Sequence, residues 1–151
     1  KRINMKKIWI LPNNDAGSAL LKSRMLSSKS NDSHYFENLP REKYLKLLKM
    51  SECIVGNSSS GILESSSFKI PTVNIGRRQH QRLKPKNVIN IENISENKIV
   101  NAVKLAKSHK FKTRIKKIKN PYGDGKSSNK IFNILLNTPI NDKLIIKKLT
   151  Y

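Results

Sequence analysis

Apolar residues along the chain fall into short runs separated by polar stretches, and the runs alternate between two kinds. Ile8 to Leu11, Cys53 to Val55, Pro71 to Ile75 and Val88 to Ile91 are compact clusters of three to five residues bounded by Gly, Pro or Asn, and they read as strands, the first two as buried ones. His34 to Phe36 is a fifth, shorter candidate. Between them the spacing lengthens to that of helices. One helix is expected from Ser18 through about Leu26. A second, with Pro40 at its first position, carries Tyr44, Leu45 and Leu48 through Met50. Ile62 opens a small-residue helix running to Phe68. Ser95 caps a helix bearing Ile99, Ala102, Val103 and Ala106, and a last helix covers about Ser127 to Leu136. Short strands alternating with helices predict parallel strands joined by crossovers, an α/β layered sheet. In such sheets ligands bind beyond the carboxyl ends of the strands, so the loops that follow strands are the informative ones.

Composition narrows the class. The chain has 151 residues, one domain's worth, with 31 Lys and Arg against 10 Asp and Glu, a net charge of +21. No apolar stretch approaches the roughly 20 residues of a membrane helix. The single cysteine, Cys53, excludes an internal disulfide framework and a cysteine-based zinc site. Lys1 to Lys7 is followed by only five apolar residues, too few for a signal peptide, so the cytoplasm is the expected compartment. Beginning at Lys1 and opening almost directly into a strand, the sequence reads as a piece of a longer chain. The charge has two readings. Lys, Asn and Ile together make 59 of the 151 residues, the bias of A/T-rich coding sequence, which gives an ordinary domain with a lysine-rich surface. The other reading is a polyanion-binding module for RNA. Against it, aromatics are only 6% and do not interleave with the bases. The densest run, Lys98 to Lys119, holds nine bases and no acid and reads as a solvated helix face.

Three loops after strands carry candidate chemistry. Gly56-Asn57-Ser58-Ser59-Ser60-Gly61 leads from a strand into a helix. It is either a serine cap on a tight turn or an anion site, in which small residues let a phosphate approach the first backbone N–H groups. It is neither a Walker A loop nor a GxGxxG signature. Glu64, three residues beyond Gly61, either complements the helix start or accepts the two hydroxyls of a ribose. Gly76-Arg77-Arg78-Gln79-His80-Gln81-Arg82 follows the next strand and offers guanidiniums suited to bidentate phosphate contacts, or a solvated basic loop. Pro12-Asn13-Asn14-Asp15-Ala16-Gly17-Ser18, taken alone, is a capped turn.

Together, PNNDAGS, GNSSSGILESSSFKIPTVNIGRRQHQR and NPYGDG, in this order, resemble the C-terminal half of the hydrolysing UDP-N-acetylglucosamine 2-epimerases over roughly residues 6 to 136. The non-hydrolysing branch, with a glycine-richer turn and no NIGxRQ, ranks second. The resemblance implies a Rossmann-like three-layer α/β domain with a parallel sheet. It would be one half of a two-domain enzyme of the glycosyltransferase-B type, occupying residues 1–137 with a tail over 138–151. It implies that Ser58 and Ser59 meet the diphosphate of UDP, with Gly61 permitting the approach. Glu64 would meet the ribose, Arg78 a phosphate, Asn13 the nucleotide, and the backbone at Leu39 the uracil. Arg82 is a further phosphate candidate. Lys69 departs from the family pattern, standing where glycine is usual, and Arg77 adds an arginine. The reaction implied is elimination of UDP followed by addition of water, giving N-acetylmannosamine. No catalytic acid, base or histidine of that reaction maps onto this chain, and His34 and His109 read as surface or packing residues. No cofactor or metal is expected. The missing N-terminal half and a homo-oligomer are the expected partners, with an apolar patch at Ile131, Leu135, Ile145 and Ile146 left exposed. The alternatives are the donor-nucleotide domain of a glycosyltransferase of the same architecture, and the RNA-binding module.

Overall fold

The computed structural model describes residues 3–13, 17–28 and 30–146. Asn14, Asp15 and Ala16 of the first strand-end loop, and residues 147–151 of the tail, lie outside the described residues. The elements run β1 (Lys7–Ile10), α1 (Ser18–Ser27), β2 (Ser33–Phe36), α2 (Arg41–Met50), β3 (Ile54–Gly56), α3 (Ser60–Leu63), β4 (Thr72–Ile75) and β5 (Val88–Ile91). Then follow α4 (Glu96–Lys107), α5 (His109–Ile115), α6 (Ser127–Asn137) and α7 (Asp142–Ile145). Every strand pairing is parallel, as the alternation requires. β1 pairs with β2, and β3, β4 and β5 form a second sheet with β4 in the centre.

The core lies against the second sheet. Alternation along β4 sends Val73 to one face, where it packs with Ile91 of β5 and with Ala102, Val103 and Ala106 of α4. Thr72 points to the other face, toward Gly61 and Ser65. Helices thus cover both faces of β4, the three-layer arrangement expected from the sequence. α4 forms where its apolar stripe demands it, and Ser95 caps it by accepting from the Lys98 amide at 3.3 Å. α5 is capped in the same way by Ser108. The bases of the Lys98 to Lys119 run lie on the outer faces and ends of α4 and α5, apart from the half-buried Lys112, which pairs with Glu52.

Three expectations need correction. Cys53 to Val55 is not a buried strand, Val55 being exposed and Cys53 and Ile54 half-buried, and neither is Ile8 to Leu11: Ile8, Trp9 and Ile10 are exposed and only Leu11 is buried. The reason for the latter is that α1 buries none of its residues, so it supplies no covering layer, and Trp9 instead stacks on Tyr35 of the neighbouring strand. Pro40 stands one position outside α2, as its N-cap with extended ψ, rather than at the first helical position. The helix expected to reach Phe68 is α-helical for one turn only. The serines beyond Leu63 compete with it, Ser65 donating its hydroxyl to the Gly61 carbonyl at 2.7 Å. The segment closes when Ile70 N–H bonds to Ser65 O and Lys69 N–H to Ser66 O, with Lys69 left-handed at φ 57°. That bond pair normally closes on glycine, which is why a glycine pattern at this position makes physical sense and why Lys69 is strained there.

Candidate functional site

β3 ends at Gly56 and β4 is followed by Gly76, both with positive φ, so each strand turns sharply at its carboxyl end into a loop. The first of these loops is Asn57 to Ser60 and the second Arg77 to Arg82, and the fold brings them together. Gln79, 96% buried by virtue of its 4% exposure, donates from Nε2 to the Asn57 carbonyl at 2.9 Å. The arginine loop is therefore clipped to the serine loop through one buried side chain. Arg77, Arg78, His80, Gln81 and Arg82 line a shallow pocket of about 330 Å³ on the outer side of that clip. A larger groove of about 570 Å³ runs between β5 and α4 from Ile89 to Leu105, and none of the expected site residues lines it.

Within the first loop, Ser58 accepts from the Ser60 amide at 3.4 Å, whereas Ser59 sits at the N-cap of α3 with no side-chain cap bond. The cap reading of the serine run is thus realised only weakly. Gly61 has a reason of its own. A Cβ built there would stand 2.8 Å from Thr72 Cγ2, so the close seat of α3 on β4 requires glycine whatever approaches from outside. Under it lies a buried polar cluster. Ser65 Oγ accepts from Thr72 Oγ1 at 3.0 Å and from Asn87 Nδ2 at 2.8 Å while donating to Gly61 O. Asn87 also donates to Ile70 O at 2.6 Å. A hydroxyl that gives one bond and takes two is fully used, so this cluster fixes the seat of the loop.

Glu64 faces α2. Its Oε2 accepts from Ser60 Oγ at 2.6 Å and its Oε1 from Arg41 Nη1 at 2.8 Å. Tyr44 of α2 meets the same Ser60 hydroxyl. Burial pushes the Tyr44 phenol above its ordinary pKa, so it stays protonated across the working pH range. The NPYGDG turn is hydrogen-bonded to the segments that follow both loops. Asn120 donates to Leu63 O at 2.8 Å and to Ser67 Oγ at 2.7 Å, and Tyr122 donates to Leu83 O at 2.7 Å, just past the arginine loop.

Of the expected residues, Ser58, Ser59, Gly61 and Glu64 lie together on one turn, and Arg78, exposed, is on the loop clipped to it. Leu39 is half-buried just before α2, and its amide is already taken by Asn38 Oδ1 at 2.8 Å, leaving its carbonyl as the backbone group for a base. Asn13 is exposed beyond β1. His34 and His109 are exposed, as expected. Gln79, Ser65, Asn87, Asn120 and Tyr44 were not singled out from the sequence. Gln79, Ser65 and Asn120 stand inside recognised motifs, Tyr44 is marked only by its helical spacing, and Asn87 carries no signal.

The model of the family described as UDP-N-acetylglucosamine 2-epimerase matches residues 1–136. The chain belongs to this family. Among relatives of the epimerase family, the hydrolysing UDP-N,N'-diacetylbacillosamine 2-epimerase of Legionella pneumophila is 32% identical over 145 residues, 95% of this chain and 37% of that one. The polysialic acid biosynthesis protein P7 of Escherichia coli is 34% identical over 116 residues, 76% of this chain and 29% of that one. A solved UDP-GlcNAc 2-epimerase of Methanocaldococcus jannaschii, in complex with UDP-GlcNAc and UDP, shares the fold with a TM-score of 0.64 at 21% identity, covering 85% of this chain and 35% of that one. The chain thus spans about a third of the length of these relatives.

Proposed function

We propose that this chain is the UDP-binding part, residues 1–137, of a hydrolysing UDP-N-acetylglucosamine 2-epimerase. The full enzyme would eliminate UDP from a UDP-linked 2-acetamido sugar and add water, releasing an N-acetylmannosamine-type product toward sialic acid synthesis in the cytoplasm. The observation that carries the reading is the junction of the serine and arginine loops through Gln79, with Glu64 one turn away. In that arrangement Ser58 and Ser59 meet the diphosphate from one side and Arg78 from the other. Glu64 takes the ribose hydroxyls, the Leu39 carbonyl the uracil edge, and Asn13 completes the nucleotide contacts. Arg78 and the serine loop then stabilise the charge that develops on departing UDP, while the acid and base come from the rest of the enzyme. Apolar side chains of α6, of α7 and of the residue after it, among them Ile131, Leu135, Ile145 and Ile146, are exposed and offer a face to that remaining part or to a second subunit.

Calorimetric titration of UDP and of inorganic pyrophosphate at physiological salt tests this. Glu64→Ala is expected to weaken UDP roughly tenfold or more, the loss of hydrogen bonds to a charged acceptor, and to leave pyrophosphate unchanged. Equal losses for the two ligands would reject the ribose assignment. Absence of UDP binding together with salt-sensitive binding of a short RNA would reject the whole reading in favour of a polyanion module.

A further inference from the structure

Three side chains outside the expected set converge on Glu64. Arg41 is the first residue of α2, Tyr44 lies one turn further on the same helix, and Ser60 opens α3. Their hydrogen bonds have a direction that follows from proton counting. Ser60 has one hydroxyl proton, and it goes to Glu64 Oε2 at 2.6 Å. The Tyr44 hydroxyl must therefore donate to Ser60 Oγ. The chain of donors runs Tyr44 to Ser60 to Glu64, and Arg41 holds the other carboxylate oxygen at 2.8 Å. A carboxylate has about four lone-pair directions, two on each oxygen. Each oxygen of Glu64 thus accepts one fixed protein donor and retains one acceptor direction. One open direction on each of two adjacent oxygens matches a vicinal cis-diol, whose two hydroxyls donate side by side.

We propose that Tyr44 and Arg41 are positioning residues that lock the Glu64 carboxylate in the orientation a ribose diol needs, and that they set the preference of the site for a ribonucleoside over a 2'-deoxyribonucleoside diphosphate. This rests on the reading that Glu64 meets the ribose. Without Arg41, and without Tyr44 to fix the Ser60 hydroxyl that donates to it, the carboxylate, whose side chain is 24% exposed, is free to turn toward water and to offer only one oxygen at a time. A deoxyribose needs only one oxygen and loses little by that; a ribose loses its second bond. Tyr44 suits the role because burial raises the pKa of its phenol, which keeps it protonated and so a donor at neutral pH.

The test titrates UDP, 2'-deoxy-UDP and pyrophosphate into the intact chain and into Tyr44→Phe, Arg41→Gln and Glu64→Ala. The unsubstituted protein is expected to prefer UDP over 2'-deoxy-UDP by about tenfold or more, one hydrogen bond to a charged group. Tyr44→Phe and Arg41→Gln should each shrink that ratio about threefold or more and leave pyrophosphate affinity within about twofold, the scale of a weakened rather than deleted bond. Arg41 is largely exposed and Tyr44→Phe removes a single oxygen, so both variants retain the fold. An unchanged ratio in both overturns the proposal. So does an equal loss for all three ligands, which is what a merely structural role produces. Glu64→Ala separates the two levels. If it abolishes the preference while Tyr44→Phe and Arg41→Gln keep it, the positioning role alone fails. If it leaves the preference intact, the ribose assignment fails and the positioning role with it.

Discussion

Gly61 offers the sharpest check on how the site is seated, because its requirement for glycine comes from behind the loop. An alanine Cβ at this position stands 2.8 Å from Thr72 Cγ2. Thr72 yields little: it starts the central strand of its sheet, its amide donates to Asn87 O at 2.9 Å and its hydroxyl to Ser65 at 3.0 Å. Overpacking of this kind costs about 1–3 kcal/mol. Alanine returns up to about 1 kcal/mol of helix propensity. Gly61→Ala should therefore destabilise by about 0–3 kcal/mol, too broad a range to be decisive alone. The decisive quantity is the coupling with Thr72→Ser, which removes the clashing methyl and keeps the hydroxyl bond. Thr72→Ser should cost about 0.5–1.5 kcal/mol, the scale for one buried methyl. In the double variant the new methyl enters the space of the lost one, so the double should be no less stable than Thr72→Ser alone. Urea unfolding of the four proteins measures this, with a coupling of about 1–3 kcal/mol expected. A coupling below about 0.5 kcal/mol, the level of independent sites, would refute the argument that Thr72 dictates glycine here.

Asn87 is fully buried and ties Ile70 O and Ser65 Oγ together, so Asn87→Ala should cost about 2–4 kcal/mol in urea unfolding through two orphaned acceptors; a loss below about 1 kcal/mol would show the cluster relaxes without it. Lys69 is left-handed at the close of the α3 segment, so Lys69→Gly should be more stable than Lys69→Ala by about 0.5–1 kcal/mol, the reverse of the usual helix order, and an Ala variant equal to or above Gly would contradict the strained geometry.

Residues acting over three or four positions are legible in the sequence, because caps, periodicity and turn chemistry operate at that range. Val88 to Ile91 is the strand its composition predicts, and Ser95 caps the helix it precedes. The three candidate loops follow β1, β3 and β4, and the family follows from their motifs. The length of α3 is not legible, because a run of serines fits a helix by its small size while each hydroxyl competes for the backbone, and the helix stops at Leu63. The burial of β1 was misread because apolar composition states what a strand would bury, and only the packing of another element decides whether it does so.

What the chain determines by itself is the order of the five strands and of helices α1 to α4 and α6, the parallel class of the sheet, and the chemistry displayed at the ends of β3 and β4, whereas α5 and α7 have no counterpart in the sequence pattern. What only the tertiary structure decides is which side chains hold that chemistry in place. Gln79 reaches Asn57 across 22 positions, Asn120 reaches Leu63 across 57, and Tyr44 reaches Ser60 across 16. No local pattern encodes such a partner. A buried polar group pairs with whichever partner the fold brings within reach, because leaving it unpaired away from water costs about 1–3 kcal/mol; among the described residues, Ser66 Oγ, Gln79 Oε1 and Asn87 Oδ1 are buried without a protein partner.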